Sequence, residues 1–186
     1  MSQRRTDLDA TLGENLRILT QAMGDICRRG TLEEATGGRL STNQFAILKI
    51  LARQNDLTAG EFARILDISS AAVSKNIDRL VELDLVRRDP HPHDRRRAAL
   101  ALQPDGRDLL ERHEEIAGRK MGSILERFTE AEKVRLLENV QRVIYNTLSR
   151  DQDTDLICFQ CSGHCGDACV IERRRGTCGY QQSQGA

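Results

Sequence analysis

The sequence predicts a mainly α (α+β) fold: a small helix-turn-helix unit with a β-hairpin attached, flanked by long helices. Three observations carry this. Between Thr58 and Glu82, two short amphipathic runs are separated only by Asp67-Ile68-Ser69. Directly afterwards, two β-favouring runs, Leu85–Asp89 and Ala98–Gln103, enclose a charged tip, PHPHDRRR, in which Pro90 and Pro92 forbid helix. On either side of this middle section, apolar residues recur every three or four positions over stretches longer than one small core can cover. Helix, turn, helix, strand, basic hairpin and strand, in that order, make a winged helix-turn-helix with long N- and C-terminal dimerisation helices.

Leu8, Leu12, Leu16, Leu19, Met23 and Ile26 define the first long helix, with its stop expected at Gly30 and a loop around Gly37-Gly38. Ser41-Thr-Asn-Gln44 has capping-box form and opens a helix bearing Phe45, Ile47, Leu48 and Leu51. Thr58-Ala-Gly-Glu61 is a second such box, leading into Phe62, Ala63, Ile65 and Leu66. After the turn, Ser70 is expected to cap the next helix. That helix carries Ala72, Val73, Ile77, Leu80 and Val81 on one face. Ser70, Ser74, Lys75, Asn76 and Arg79 on the other are the short polar and basic side chains a major-groove helix needs. Beyond the hairpin, Pro104 suits a first helical position, and Leu109, Leu110, His113, Ile116, Ala117, Met121, Ile124 and Phe128 form a stripe. Gly118 and Gly122 are expected to mark close packing or a bend. A third capping box, Thr129-Glu-Ala-Glu132, starts a helix with Val134, Leu137, Val140, Ile144 and Leu148. The surplus apolar stripes imply burial against a second copy of the chain.

Ser70 to Leu102, followed by Gln103-Pro104-Asp105-Gly106, closely resembles the MarR (multiple antibiotic resistance regulator) family over roughly residues 10 to 150. The resemblance rests on the Asp94-Arg95-Arg96 wing tip, the alternating strand Leu100-Ala101-Leu102, and the Leu-Thr-Pro-x-Gly pattern before a long helix. Gln103 stands where the family has Thr, and Asp84 where it often has Gly; Asp tolerates the left-handed conformation better than most residues. The resemblance implies a homodimeric regulator of transcription that binds double-stranded DNA at a pseudo-palindromic site. Its wing would place Arg96 in the minor groove, held by Asp94 and flanked by Arg95 and Arg97. It also implies a small-molecule effector, and no enzymatic activity.

A net charge of zero argues at first against a nucleic-acid partner, but the charge is unevenly placed. Arg87 to Arg97 holds five Arg against Asp89 and Asp94, whereas Asp151 to Glu172 holds five acidic residues and no Lys or Arg. Apolar residues make up 39% and aromatics 3%, so the core is expected to be aliphatic. No apolar run approaches a membrane span and no targeting signal is visible, which points to the cytoplasm and to reduced thiols. No Ser/His/Asp grouping, phosphate-binding glycine loop or helical His pair suggests catalysis.

Five of the six cysteines fall within 21 residues: Cys158, Cys161, Cys165, Cys169 and Cys178, spaced C-x2-C-x3-C-x3-C-x8-C, with His164 among them. Metal ligation accounts for this density better than chance or redox disulfides. Thiols packed into one short run suit a 4Fe–4S cluster, while zinc held by Cys158, Cys161, His164 or Cys165, and Cys169 or Cys178 stays open, because the ferredoxin spacing is not matched. The segment has few large apolar residues, so it is expected to order only with metal bound, while residues 1–150 fold without it. The family resemblance is silent on this tail. The remaining Cys27, near the end of the first helix, reads as a small buried hydrophobe rather than a peroxide sensor.

The expected organisation is an N-terminal dimerisation helix and loop (1–40), a DNA-binding winged unit (41–103), C-terminal dimerisation helices (104–150) and a cysteine-rich metal-binding tail (151–186). The expected function is transcriptional regulation, as a repressor, with possible redox or metal sensing through the tail. Two rivals remain: a regulator sensing a small aromatic ligand with a purely structural zinc tail, and an electron-transfer protein that would have no use for Arg95, Arg96 and Arg97.

Overall fold

In the computed structural model, which describes residues 2–54, 57–90, 98–148 and 169–171, seven α-helices and one two-stranded sheet follow the expected order. The N-terminal run is not a single helix stopping at Gly30. It comprises α1 (Ser2–Met23), a π-helical turn (Gly24–Arg29) and α2 (Gly30–Thr36). Gly30 has helical dihedrals, and a Cβ there would stand 3.3 Å from the Asp25 carbonyl oxygen. It therefore accommodates the close backbone of the π-turn rather than ending the helix. The buried Thr31 and Thr36 hydroxyls donate back to the Ile26 and Leu32 carbonyls at 3.1 and 2.7 Å. The stop is Gly37 and Gly38, with φ of 60° and 74°.

The winged unit contains α3 (Thr42–Leu51), α4 (Ala59–Leu66), α5 (Ser70–Glu82), β1 (Val86–Pro90) and β2 (Ala98–Leu102). Both expected capping boxes form: Ser41 with Gln44, and Thr58 with Glu61, whose carboxylate accepts from the Thr58 N–H at 2.7 Å. The cap of α5 falls one residue earlier than expected. The Ser69 hydroxyl accepts from the Ala72 N–H at 3.2 Å, and Ser70 is already helical. Two consecutive serines offer the same chemistry. The left-handed Asp67 (φ 53°) closing α4 decides which of them meets the helix start. Asp84 likewise adopts φ 55°, as its place after α5 requires.

β1 and β2 pair antiparallel, Val86 opposite Leu102 and Pro90 opposite Ala98; β1 lies one residue later than the expected run, and β2 starts at Ala98 as expected but ends one residue earlier. Their inward residues join one core with Phe45, Ile47, Leu48, Phe62, Ile65, Val73, Ile77 and Leu80. The core is mainly aliphatic, as composition implies. Each such side chain fully buried contributes about 1.5–3 kcal/mol.

From this hairpin α6 (Pro104–Leu125) departs, with Pro104 in the first turn; Gln103, the N-cap residue, makes no side-chain capping bond. Gly106 has a definite reason. A Cβ there would stand 2.6 Å from the Leu85 carbonyl oxygen and 2.8 Å from Leu102 Cδ1. That close approach seats α6 on the wing strands, where the Gln103 N–H also donates to Leu85 at 2.9 Å. The α2 carboxylate of Glu34 braces α6 through Lys120 (2.9 Å) and Arg119 (3.4 Å). The hydrogen bond from Lys120 holds Glu34 below the usual carboxylate range.

Phe128 lies beyond α6 and is exposed, because the helix ends at Leu125 and the Thr129–Glu132 box starts α7 (Glu130–Thr147). Among the described residues neither Gly118 nor Gly122 packs closely against the rest of the chain; a Cβ at either would have no neighbour within 4 Å. The N-terminal and C-terminal stripes are also open. Leu8 is 66% exposed, Leu137 and Val134 each 56%, and α7 buries no side chain at all.

Candidate nucleic-acid interface

The recognition face is built by locking one side of α5. Val73, Ile77 and Leu80 are buried, which fixes the helix's rotation and turns Ser70, Ser74, Lys75 and Arg79 outward, with Asn76 half-buried. Two of these side chains fold back onto their own helix. The Ser74 hydroxyl donates to Ser70 O at 3.1 Å, and Asn76 Nδ2 to Ala72 O at 2.9 Å.

The arginines around this face are paired with carboxylates. Arg79 meets Glu82 at 2.8 Å, Arg87 meets Asp89 at 3.0 Å, and Arg88 of β1 reaches across to Asp78 of α5 at 2.6 Å. Exposed pairs of this kind contribute little to stability, but they fix guanidinium groups in place and trim the local positive field. Lys75 is the cation of α5 without a carboxylate partner among the described residues. Asp94, Arg95, Arg96 and Arg97, at the wing tip, lie outside the described residues.

A second feature lies between the winged unit and the terminal helices. A cavity of about 220 Å³ is lined by Arg28 of the π-turn, Leu32 of α2, Phe45 and Lys49 of α3, Leu66 of α4 and His113 of α6. His113 is 4% exposed, and its ring lies 4.4 Å from that of Phe45. Burial, reinforced by the charges of Lys49 and Lys120, lowers its pKa to about 4, so the imidazole is neutral at pH 7. Its Nδ1 has no hydrogen-bond partner among the described residues, and Glu114 stands 3.9 Å away, beyond hydrogen-bond reach. Sequence reasoning placed His113 only within an apolar stripe and missed Arg28 and Lys49. The available signals were a titratable ring at a core position and a lone cation in the apolar run of α3.

Comparison with known proteins fits this arrangement. The MarR family model matches residues 40–97, the helix-turn-helix and the wing. The uncharacterized HTH-type transcriptional regulator YpoP of Bacillus subtilis is 30% identical over 110 residues, spanning 59% of this chain and 78% of YpoP. The chain belongs to the MarR family. As a MarR-family member it is a transcriptional regulator with a DNA-binding winged helix, not an enzyme. The same fold occurs in RV1404 from Mycobacterium tuberculosis, with a TM-score of 0.66, 24% identity, and coverage of 77% of this chain and 94% of that one. It also occurs in a mutant of S. aureus MepR bound to an oligodeoxyribonucleotide, with a TM-score of 0.58, 19% identity, and coverage of 74% and 98%.

No helix of the MarR-family chain is long and apolar enough, among the described residues, to cross a membrane. Cys27 sits half-buried in the π-turn rather than fully in the core, because that turn packs only partly against α6. Of the expected metal ligands, Cys169 is half-buried, packed against Leu148 and Ile171. Cys158, Cys161, Cys165 and Cys178, with His164, lie outside the described residues.

Proposed function

We propose that this MarR-family regulator represses transcription as a homodimer on double-stranded DNA. Ser70, Ser74, Lys75, Asn76 and Arg79 read the major groove, and Arg95, Arg96 and Arg97, steadied by Asp94, enter the flanking minor groove. The observation that carries this reading is the locked rotation of α5, which presents a polar and basic edge while Val73, Ile77 and Leu80 stay in the core. MepR, of the same fold, binds an oligodeoxyribonucleotide, which supports the assignment. The exposed stripes of α1 and α7 support a dimer, since a surface this apolar is stabilised by association.

Selection of a binding site from a random duplex library, followed by titration at fixed salt, tests the interface. Arg96→Ala is expected to weaken binding by about 1–3 kcal/mol with unchanged thermal stability. Unaltered affinity would remove the wing from the interface. A reporter driven through the selected site separates repression from activation.

Cys158, Cys161, Cys165, Cys169 and Cys178 are proposed to hold a 4Fe–4S cluster or zinc, making the regulator responsive to metal or redox state. Thiolate density and spacing are the support. Anaerobic purification with elemental analysis and an absorption spectrum decides it. A cluster gives brown protein, zinc colourless protein, and absence of both metals rejects the site. A second reading has its own observation. The cavity beside Phe45 and His113, with Arg28 and Lys49 on its wall, suits a small aromatic effector. Loss of DNA affinity on adding such a ligand, abolished by Phe45→Ala, would establish it.

A further inference from the structure

The cavity beside α6 joins apolar Leu32, Phe45 and Leu66 to Arg28 and Lys49, with the His113 ring on the same wall. At about 220 Å³ it exceeds the roughly 150 Å³ of an apolar cavity that takes up benzene, so one aromatic ring with a small substituent fits. His113 is buried against Phe45, and its Nδ1 has no hydrogen-bond partner among the described residues. A polar atom buried in this way is costly, and a group that pairs with it recovers that cost.

The charges around the ring keep it neutral. Lys49 of α3 and Lys120 of α6 both oppose a proton there, and Arg28 of the π-turn adds a third cation on the cavity wall. The α2 carboxylate of Glu34 is engaged with Lys120 and Arg119, and α4 brings only Leu66 to the wall. Glu114 of α6, 3.9 Å from Nδ1, lies just beyond bonding reach. An anion seated beside Arg28 and Lys49 changes this balance. It offsets the cations that oppose the proton, and a protonated ring can then donate to the anion or to Glu114. By linkage, whatever factor the anion adds to proton affinity, the proton adds to anion affinity.

On the effector-cavity reading above, we propose that His113 takes up a proton from solvent when an aromatic anion enters this cavity, so that the regulator binds such a ligand more tightly in acid and answers the two signals jointly.

The test uses the full chain and two one-ring probes: benzenesulfonate, anionic at every pH used, and neutral benzyl alcohol. Each is titrated by calorimetry at about pH 7.5 and about pH 5.5, in two buffers of different ionisation enthalpy, which counts the protons taken up. Benzenesulfonate is expected to bind about tenfold more tightly at the lower pH, the gain that follows when the anion returns the ring from about 4 to its ordinary 6.5. Uptake should approach one proton per ligand there, and benzyl alcohol should show neither effect. His113→Gln, and independently His113→Phe, should bind benzenesulfonate with no uptake and no pH dependence. Phe45→Ala locates the probes, because it should abolish binding of both. Benzenesulfonate that binds without proton uptake, or a His113→Gln protein that responds to pH like wild type, overturns the coupling and leaves the cavity standing. Wild type that binds neither probe, or binding untouched by Phe45→Ala, overturns both.

Discussion

The winged unit and the terminal helices are made from similar residues and treat them in opposite ways. In α3, α4 and α5 each apolar face meets another, and Ile47, Leu48, Phe62, Val73 and Leu80 are sealed from solvent. In α1 and α7 the stripes are as regular, yet Leu12, Leu19, Leu137, Val140 and Ile144 all stand on the surface. Periodicity alone does not separate these cases. The difference lies in chain economy. Short helices joined by tight turns can fold onto one another, whereas helices of 22 and 18 residues overreach the small core they flank.

Breaking each region should therefore give opposite signatures. Phe62→Ala removes a fully buried ring, with an expected loss of about 3–5 kcal/mol in urea unfolding and no change in assembly beyond that loss. Ile144→Asp should leave helical content intact while converting dimer to monomer in sedimentation, because it introduces an unpaired charge into the proposed seam. A well-folded dimer from Ile144→Asp would place the seam elsewhere.

A smaller effect belongs to the boundary between the regions. Buried His113 has its pKa lowered from 6.5 to about 4. Between those values the unfolded chain binds the proton that the folded chain refuses, so this stability is fully present above about pH 6.5 and lost as pH falls towards 4. The expected loss is about 3 kcal/mol. His113→Phe should flatten that part of the pH profile, and an unaltered profile would show that another group controls it. Smallest is Thr129→Ala, which removes the α7 capping box and should cost about 1 kcal/mol of helix stability, seen as fraying of α7 in hydrogen exchange.

Much of the fold was legible because its signals are local. All three capping boxes form as read, since a Ser or Thr three residues before Gln or Glu satisfies two backbone donors without help from distant residues. Asp84 was legible for the same reason. The π-turn was not, because Gly30 as a helix stop and Gly30 as a tight point inside a continuing helix look alike in sequence. The polar edge of α5 was legible from periodicity, but the pairing of Arg88 with Asp78 was not, since it spans ten residues and depends on how the hairpin crosses the helix. The cavity escaped because its wall combines one side of α3 with single residues from the π-turn, α2, α4 and α6.

The seat of Gly106 against Leu85 and Leu102 bears on how a disturbance in one place is felt in another. A rigid helix of 22 residues measures about 33 Å, and α6 is such a rod, pinned at one end to the wing strands and leading at the other towards α7. Pivoting it about 5° on that pin swings the far end by about 3 Å. Glu34 grips the rod well along its length through Arg119 and Lys120, and the His113 cavity opens beside it nearer the pin. In mechanical terms α6 is a lever with its fulcrum at the wing, and in the proposed dimer an angular change too small to strain the core would become a displacement large enough to alter the spacing of two wings.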